Sequence, residues 1–490
     1  MPNPFEDTEQ PYLVLVNDSG QHSLWPAFAP VPAGWATAHG ADSREGCLAY
    51  VDTAWTDMRP AEPAHQRTGG SSGDGAGGPA GGPDRGRAAP PEPYPFGEYD
   101  GLRVDPRYAE LRGRPGLLRV RPPYGDDAWL VTRYHDVRTV FGDPRFSRAA
   151  TARHDEARLT PEPVHTSILG TDPPDHTRLR RLLARAFTAR RIETMRPRIR
   201  ATADELIDAM VRTGPPGDIV EDYSLPLTGL VICDFLGVPF ADRDRFQEWL
   251  VAFSSTTALP PDEARERTAA MHAYIGELIE ERRRRPDDAL ISQLIRVRDD
   301  DTQSSRHGGS GGLSETELVE LATVLLIAGY ETSAAQLMNS VHALLERPAE
   351  LARLRADGVT PAAVDELLRF VPVDAHVAFA RYATVDIELG GTLVRAGEAV
   401  LPVLPSANRD PEVFDEPETL DLGRERNPHL GFGHGIHRCL GAALARIELE
   451  EGLGRLVARL PDLHAAVPLV ETPWKAGMQV RSLWRLPVGW

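Results

Sequence analysis

Residues 432–441 have the sequence FGHGIHRCLG, and an apolar stretch with helical spacing follows at residues 442–460. Cys439 therefore lies just before a predicted helix, where backbone N–H groups and the helix dipole favour a thiolate over a thiol. A thiolate can bind a metal. A lone buried cysteine is usually inert packing, so this interpretation depends on the whole pattern around Cys439.

Three glycines in this stretch, at positions 433, 435 and 441, suit a backbone that takes positive φ and lies close to a flat group. The spacing F-x-x-G-x-H-x-C-x-G resembles the haem-ligand loop of the cytochrome P-450 family. In that family a cysteine thiolate pushes electron density onto iron and favours O–O cleavage. The resemblance implies that Cys439 ligates the iron of haem b (iron protoporphyrin IX) and that Phe432 and Gly433 border the cofactor.

The composition is typical of a globular chain. Of 490 residues, 41% are hydrophobic and 26% are charged, enough to build a substantial core. We find no run of about 18 apolar residues and no secretory leader, so we expect a cytoplasmic protein without a membrane partner. Cys47, Cys233 and Cys439 are too few and too far apart for a disulfide framework. The net charge of −18 argues against nucleic acid as a partner, since phosphates require a basic surface.

Nine of the eighteen residues from 69 to 86 are glycine. Such a segment cannot build a core, so we predict a disordered tether. Length alone suggests about three domains, but two unequal ones fit better. We divide the chain into a small domain at residues 1–62, a flexible linker at 63–92 and a large domain at 93–490.

The small domain is predicted to be α+β, with a three-stranded antiparallel sheet and one helix. Residues 12–17 (YLVLVN) are rich in β-formers, and 21–26 and 34–39 are further candidate strands. Asp42, followed three residues later by Glu45, is typical of a helix N-cap with a capping box. Tryptophan is frequent here, and aromatic residues more often fill a core than bind a partner.

The order of these residues resembles the MbtH-like proteins, which bind and activate adenylation domains of nonribosomal peptide synthetases. The match runs through Asn17, Gln21, Cys47 and residues 23–26, 32–35 and 55–60. The resemblance implies that Trp25 and Trp35 form a cleft for an alanine side chain of the adenylation domain. Two indoles can hold a methyl group by apolar burial.

The same resemblance places Ser23 and Leu24 in the surface that contacts the adenylation domain. One residue departs from the family pattern, because Ser19 stands where the family usually carries Glu. We expect a changed or weakened preference for the partner as its consequence.

The large domain resembles a complete bacterial-type cytochrome P-450, a mainly α fold with small β-sheets. Asp172-Pro173-Pro174 predicts a helix start, with Asp172 as the cap. His176 and Arg180 follow four residues apart and share a face of this helix. Without context, an exposed polar face is the simpler explanation of the pair.

In the family, H-x-x-x-R of this helix binds the haem propionates. The resemblance therefore implies that His176 and Arg180 contact the propionates, together with Arg381 and His437. Four donors for two carboxylates are physically reasonable, because buried carboxylates require charge-assisted hydrogen bonds.

Ser314 and Glu317 form a predicted capping box for a long helix that ends near residues 347–348. Its apolar middle contains residues 328–333 (AGYETS), where an acid and a hydroxyl are costly unless satisfied or used. From the residues alone, Thr332 bonded back to its own helix and Glu331 paired elsewhere explain the pattern equally well. The motif also matches the family's oxygen-activation sequence. That match implies that Thr332 guides protons to oxygen and that Glu331 belongs to the proton relay.

Three further stretches have weaker patterns. Thr360-Pro361 starts a predicted helix with Glu366 and Arg369, which the family buries as a structural pair together with another arginine at 408–411 or shortly beyond. The polar segment 254–257 is expected to cover the substrate pocket, and 299–312 is expected to be a loop. Arg438 and Arg446 lie near the cysteine and are candidates for a local basic dock.

These resemblances imply a haem-thiolate monooxygenase that receives electrons from an external ferredoxin and ferredoxin reductase. The tethered MbtH-like domain would raise its effective concentration near synthetase adenylation and carrier domains. We therefore predict β-hydroxylation of an aminoacyl group on a carrier protein. The alternatives are oxidative cross-linking of a tethered peptide, oxidation of a free amino acid or finished peptide, and adenylation-domain activation with the haem domain as a scaffold. The amino acid, the oxidised carbon and the partner synthetase are undetermined by the sequence.

Overall fold

The computed structural model describes residues 11–17, 22–28, 31–32, 35–43, 46–47, 50–51, 90–163, 167–184, 186–305, 313–377 and 379–490. The chain separates into two compact units, Met1–Gly86 and Arg87–Trp490. The predicted tether at 69–86, Ser19 and residues 55–60 lie outside the described residues.

The first unit contains one antiparallel sheet in the order β2-β1-β3, as predicted. Its strands are β1 Tyr12–Asn17, β2 His22–Pro26 and β3 Trp35–Asp42. Tyr12 and Val14 of β1 are buried together with Cys47. The Cys47 thiol donates to the Tyr12 carbonyl. The sheet and the residues after it therefore share a small core.

The predicted cap of the following helix is wrong by one residue. Asp42 is the last residue of β3, and the Gly46 N–H donates instead to the Ser43 hydroxyl at 3.1 Å. The Ser43 carbonyl accepts from the Cys47 N–H at 3.0 Å. Because β3 extends to Asp42, the helix starts one residue later than predicted. Serine caps helices as well as aspartate does, so Ser43 can take this role. Glu45 lies outside the described residues.

The second unit is mainly helical. Its helices are α1 Pro106–Gly113, α2 Tyr134–Gly142, α3 Asp175–Ala184, α4 Ala189–Thr213, α5 Leu225–Leu236, α6 Arg243–Ser254, α7 Pro261–Arg284, α8 Leu290–Ser305, α9 Glu315–Leu345, α10 Pro348–Asp357, α11 Pro361–Phe370, α12 Leu404–Ala407 and α13 Ala442–Arg459. A π-helical turn occupies Ile219–Ser224, and short 3-10 turns occupy Ala149–Arg153, Ser167–Leu169, Phe240–Asp242, Gly435–His437 and Leu469–Glu471.

Small sheets surround these helices. The strands are β4 Glu92–Pro93, β5 Leu118–Arg121, β6 Ala128–Val131, β7 Phe146–Ser147, β8 Gly217–Asp218, β9 Arg381–Ala383, β10 Ile387–Leu389, β11 Thr392–Val394, β12 Ala399–Pro402, β13 His464–Ala465 and β14 Pro487–Gly489. They form a six-stranded sheet in the order β4-β5-β6-β12-β9-β7, the pair β10-β11, and a sheet β13-β14-β8. In the largest sheet β12 runs parallel to β6 and antiparallel to β9. The predicted mainly α fold with small sheets is confirmed.

Helix α9 lies at the centre of this unit and packs against α5, α7 and α13. It starts at the predicted capping box, in which the Glu317 N–H donates to the Ser314 hydroxyl and the Ser314 N–H donates to the Glu317 carboxylate. Contrary to our expectation that no such run exists, an 18-residue window of α9 has a mean hydropathy of 1.4 and would be apolar enough to cross a membrane. However, 56% of that window is buried inside the domain, as expected for a helix that is apolar all round because it forms a core.

The predicted loop at 299–312 is partly helical, because α8 continues to Ser305. Leu290, Ile291, Leu294 and Ile295 are buried on one face of α8. Once that face anchors the first turns, each added residue gains a hydrogen bond, so the helix continues into polar sequence. Residues 306–312 lie outside the described part.

Helix α11 begins as predicted at Thr360, whose hydroxyl accepts from the Ala363 N–H at 3.2 Å. It carries Glu366 and Arg369, whose side chains are fully buried and 2.7 Å apart. Burying two charges is tolerated only when their remaining hydrogen-bonding capacity is satisfied. The partners of Glu366 meet this requirement.

The Glu366 carboxylate also accepts from the Arg424 side chain at 3.0 Å, the Asn427 amide at 3.0 Å and the Asp421 N–H at 2.9 Å. The expected additional arginine is therefore Arg424. Arg409, the arginine within 408–411, instead donates to the Phe370 carbonyl at 2.7 Å and to the Glu418 carboxylate at 3.2 Å. The pair and its partners join α11 to the segment that precedes the cysteine loop.

We expect Glu366→Gln to lower the free energy of unfolding by about 3–5 kcal/mol, because it leaves buried arginines without a counter-charge. Urea denaturation followed by circular dichroism measures the change. The matched control is Glu388→Gln, which removes an exposed carboxylate and should change stability by less than about 0.5 kcal/mol. Equal stabilities of the two variants would contradict a structural role for Glu366.

Candidate functional site

Residues 432–441 form a tight loop before α13. The Cys439 N–H donates to the Phe432 carbonyl at 2.9 Å, and the Gly433 N–H donates to the Leu430 carbonyl at 2.8 Å. Gly433 has a φ of 67°, a conformation that favours glycine. Phe432 and Gly433 thus shape the loop that presents the Cys439 sulfur.

Two of the three glycines have the predicted positive φ. Gly435 has a φ of 70°, and a Cβ there would lie 2.1 Å from the Phe141 carbonyl oxygen. Only glycine lets the loop approach α2 this closely. Gly441 has a φ of −81° as the N-cap of α13, so the expectation of positive φ there is wrong.

The Cys439 side chain is exposed, although enough protein surrounds it that burial raises the pKa of its thiol. The Gly441 N–H, Arg180, Arg438 and Arg446 oppose that shift. The backbone N–H and the arginines favour the thiolate as predicted. Burial has the larger effect, so the pKa of the Cys439 thiol is still raised in the protein alone. The Cys439 side chain is thus accessible and yet surrounded by protein atoms, as expected for a residue in the wall of an interior cavity.

Helix α3 carries His176 and Arg180 toward the same region, but Asp172 does not cap it with its side chain as predicted. The Asp172 carboxylate accepts from the Ser147 hydroxyl and from the Arg148 N–H at 3.1 Å. Its carbonyl accepts from the His176 N–H at 2.9 Å. The backbone therefore starts the helix, while the carboxylate ties α3 to β7.

His176 and His437 lie next to each other, with ring centroids 4.4 Å apart. Each has a buried Nε2 without a hydrogen-bond partner in the described part of the chain. Arg381 is only 4% exposed, and its guanidinium lies 4.4 Å above the Phe141 ring. Arg180 donates to the Arg438 carbonyl at 2.7 Å. Three of the four predicted propionate contacts thus have a buried, incompletely satisfied polar group.

Burial is the main cause that lowers the pKa of His437 to about 3 and that of Arg381 to about 9. Nearby cations add to both shifts, Arg381 for His437 and Arg148 for Arg381. Buried donors and positive charge without an anion are costly. A flat group with two carboxylates and a metal for the Cys439 sulfur would complete this set, so these residues fit haem.

One face of α9 opens toward an interior space. Between residues 321 and 345, Ala328 and Thr332 are exposed while the rest are buried or half-buried. They are four residues apart and therefore share a face. The Thr332 hydroxyl donates to the Ala328 carbonyl, the back-bonded arrangement considered from sequence. Its oxygen still faces the opening and retains a free lone pair.

Glu331 is buried beside Thr332 and accepts from the Ser254 hydroxyl at the end of α6. Burial raises the pKa of Glu331 to about 6, against the opposing effects of Ser254 and Lys475. Lys475 is 9% exposed, and its Nζ lies 4.9 Å above the Trp484 ring. The predicted covering segment thus contributes a direct partner of Glu331, whereas Lys475 was missed. Lys475 is 144 residues after Glu331 in the sequence, and no motif connects the two positions.

Glu448 is a second buried acid that sequence reasoning missed. It lies on α13, and burial raises its pKa to about 8 against an opposing effect of the Ser333 hydroxyl. Ser333 adjoins Thr332 on α9. An acid among the apolar positions of 442–460 was the only indication of this group in the sequence.

The two candidate arginines of the basic dock differ. Arg446 donates to Asp365 at 2.8 Å and lies 4.8 Å above the Phe432 ring. Arg438 is exposed. Arg446 is thus held by the loop and α11, and Arg438 remains as the exposed cation next to Cys439.

In the first unit, Ser23, Trp25 and Trp35 lie on one face of the sheet. Trp25 is opposite Leu13 across β1 and β2, and Trp35 is opposite Asn17 across β1 and β3; partners across strands share a face, as do alternate residues. Leu24 therefore faces the other side, where it packs against the buried cluster of Tyr12, Val14 and Cys47. Three of the four predicted contact residues share a face, and Leu24 is separate from them.

We expect His176→Phe and Arg381→Met each to speed the loss of bound haem by about 10-fold or more, because each would remove a buried donor that is available to a propionate. Transfer of haem to apomyoglobin, followed by absorbance, measures the rate. Arg103→Met removes an arginine whose side chain is 78% exposed and should leave the rate unchanged. Haem loss that is equally slow in all three variants would contradict the assignment.

Comparison with known proteins supports both resemblances. Residues 1–67 match the family MbtH-like protein, and residues 120–461 match the family Cytochrome P450. The chain is 46% identical over 405 residues to the mycinamicin IV hydroxylase/epoxidase of Micromonospora griseorubida, an alignment that covers 82% of this chain and 100% of that protein. It is 48% identical over 400 residues to the nocardicin C N-oxygenase of Nocardia uniformis subsp. tsuyamanensis, covering 81% of this chain and 98% of that protein.

The crystal structure of HinD with NMFT and NO is similar in fold, with a TM-score of 0.79, 58% sequence identity and coverage of 82% of this chain and 100% of that chain. Each of these alignments extends over most of this chain. Monooxygenase chemistry and the binding of haem b are properties of the matched family. The chain therefore belongs to the cytochrome P450 family and carries an MbtH-like domain at its first 67 residues.

Proposed function

We propose that this P450 monooxygenase of secondary metabolism β-hydroxylates an aminoacyl group that is bound to a carrier protein of a nonribosomal peptide synthetase. The observation that carries the proposal is the presence of an MbtH-like domain and a P450 domain in one chain. An MbtH-like domain implies an adenylation-domain partner, and adenylation domains load amino acids onto carrier proteins. Attachment to that partner raises the local concentration of the oxygenase where its substrate is formed.

The relatives support a role in secondary metabolism and leave the reaction open. By name, one relative hydroxylates and epoxidises mycinamicin IV, and another oxygenates nocardicin C at nitrogen. The fold thus accommodates several oxidations. The first domain of this chain supports an aminoacyl substrate, because its face with Ser23, Trp25 and Trp35 is the proposed contact with an adenylation domain.

We assign cofactor binding to the residues whose polar groups remain incomplete in the protein. Cys439 would ligate the iron, and His176, Arg180, Arg381 and His437 would hold the propionates. When bound, the haem supplies the oxidising chemistry. An external ferredoxin and ferredoxin reductase are the proposed electron source, and Arg438 provides an exposed cation for an acidic partner beside the loop.

We assign proton delivery to Thr332 and Glu331. Thr332 presents its oxygen to the opening of α9, and Glu331 is adjacent with a pKa of about 6. Such a carboxyl exchanges its proton readily near neutral pH, as a relay group must. Ser254 holds the carboxylate in place from the covering segment.

In the decisive experiment the purified full chain is supplied with ferredoxin and ferredoxin reductase. It is incubated with the same amino acids in two forms, free and loaded on a carrier protein. We expect a gain of one oxygen atom on the carrier-bound aminoacyl group, seen by mass spectrometry, and no product from the free amino acids. Cys439→Ala should abolish the product and the red-shifted Soret band of the reduced carbon monoxide complex.

Three outcomes would overturn this proposal. Product from free amino acids or a finished peptide alone would move the reaction away from the carrier protein. Loss of two hydrogens from a tethered peptide would indicate oxidative cross-linking. Faster adenylation without any oxidised product, at full haem content and electron supply, would indicate an activator with the haem domain as a scaffold.

The raised pKa of Glu331 predicts a pH dependence. Because burial favours the neutral form, Glu331 keeps its proton below about pH 6 and loses it above, so product formed per electron pair should fall as pH rises through that value. Glu331→Gln should remove this fall and lower the yield. Lys475→Met should move the fall to higher pH, since the Lys475 charge lowers the pKa of Glu331. A profile unchanged in Glu331→Gln would exclude Glu331 from the relay.

A further inference from the structure

A hairpin near the end of the chain, bridged between Trp474 and Leu483, forms part of the cover of the large domain. On one edge its Gln479 N–H donates to the Ser254 carbonyl at 2.8 Å. On the other edge the Gln479 carbonyl accepts from the Ala375 N–H at 2.8 Å. The hairpin therefore links the end of α6 to the segment that follows α11.

Asp374 lies directly opposite Val480 in this pairing. Two backbone hydrogen bonds flank this pair: the Ala375 N–H donates to the Gln479 carbonyl, and the Arg481 N–H donates to the carbonyl of residue 373 at 2.7 Å. Asp374 and Val480 are therefore a non-hydrogen-bonded pair. The two side chains therefore share a face, and the Arg481 side chain projects from the opposite face.

The Arg481 side chain lies on the opposite face. Its guanidinium donates to the carbonyls of Gly101, Arg103 and Ala375 at 2.7–3.0 Å. A cavity of about 160 Å³ on this side is lined by Ala375, His376 and Arg481 and not by Asp374. The Asp374 carboxylate thus points away from the segment that contains Gly101 and Arg103, although enough protein surrounds it that burial raises its pKa.

Both neighbours of the hairpin lead to residues of the candidate site. The segment that begins with Asp374 ends at Arg381, one of the buried cations beside His437. The opposite edge of the hairpin is bonded to Ser254, which donates to Glu331 next to Thr332. Asp374 is therefore linked to Glu331 through the hairpin and Ser254, and to Arg381 along its own segment.

The Asp374 carboxylate has no hydrogen bond and no ion pair with any residue in the described part of the chain. It is half-buried, so solvent or a ligand reaches it. Burial raises its pKa to about 6, with Arg481 opposing, so most molecules carry the charge at neutral pH. An unpaired charge in such a place is costly unless a cation from outside the chain completes it.

We propose that Asp374 is a specificity-determining residue that binds the free ammonium group of the substrate. The substrate class is then a primary amine, and N-acylated compounds are rejected because they lack the charge. This inference rests on the proposed function, since an aminoacyl group on a carrier protein has a free α-ammonium. An ammonium site at Asp374 excludes N-acylated aminoacyl groups and the interior of a finished peptide as substrates.

The test measures substrate binding by the shift of the Soret band. The probes are the twenty standard aminoacyl groups on one carrier protein, the same amino acids as free methyl amides, and the N-acetyl form of each. We expect wild type to bind at least one amine about 10-fold or more tightly than its N-acetyl form, the size of a charge-assisted bond. Asp374→Asn should lose that preference while binding the N-acetyl form as wild type does.

Glu388→Gln, which removes an exposed carboxylate of the same domain, should keep the wild-type preference. Equal haem content in all three proteins excludes misfolding as the cause of a loss. The proposal is overturned if no amine is preferred over its N-acetyl form, or if Asp374→Asn keeps the preference. A preference found only among the free amides supports the role of Asp374 and counts against the carrier-bound substrate.

Discussion

Burying a charged side chain requires a partner buried with it, and this constraint separates scaffold from site in the large domain. Glu366 and Arg369 satisfy it entirely within the protein, through Arg424 and neighbouring backbone groups. His176 and Arg381 are similarly buried, His437 is half-buried, and the three do not satisfy it with one another. A fold that completes the first set and leaves the second incomplete satisfies its scaffold charges within the chain and leaves donors available to an anion from outside it.

The same constraint explains how α9 serves two purposes. Most of the helix is apolar and buried, which fixes its position between α5, α7 and α13. At a single turn it exposes Ala328 and Thr332 and buries Glu331, whose partners come from distant parts of the chain. The rigid ends of the helix hold this turn, so the polar groups need little ordering of their own.

Local patterns in the sequence were sufficient for much of this structure. The capping box at Ser314 and the start of α11 at Thr360 depend on side chains within four residues of each other. The cysteine loop and both family resemblances also follow from short motifs. The errors occur where a local pattern competes with tertiary packing: Asp42 belongs to a strand, the Asp172 carboxylate bonds to β7, and Gly441 begins a helix in an ordinary conformation.

What the sequence lacked was the pairing of distant segments. Glu331 accepts a hydrogen bond from Ser254 at the end of α6, and the charge of Lys475 in the last hairpin lowers its pKa. Neither spacing along the chain forms a pattern. The bond from Ser254 to Glu331 has a further consequence, because the donor belongs to the cover and the acceptor to the core. The hydroxyl lowers the pKa of the carboxyl against the larger effect of burial, so a side chain of one segment adjusts the acidity of a side chain of another.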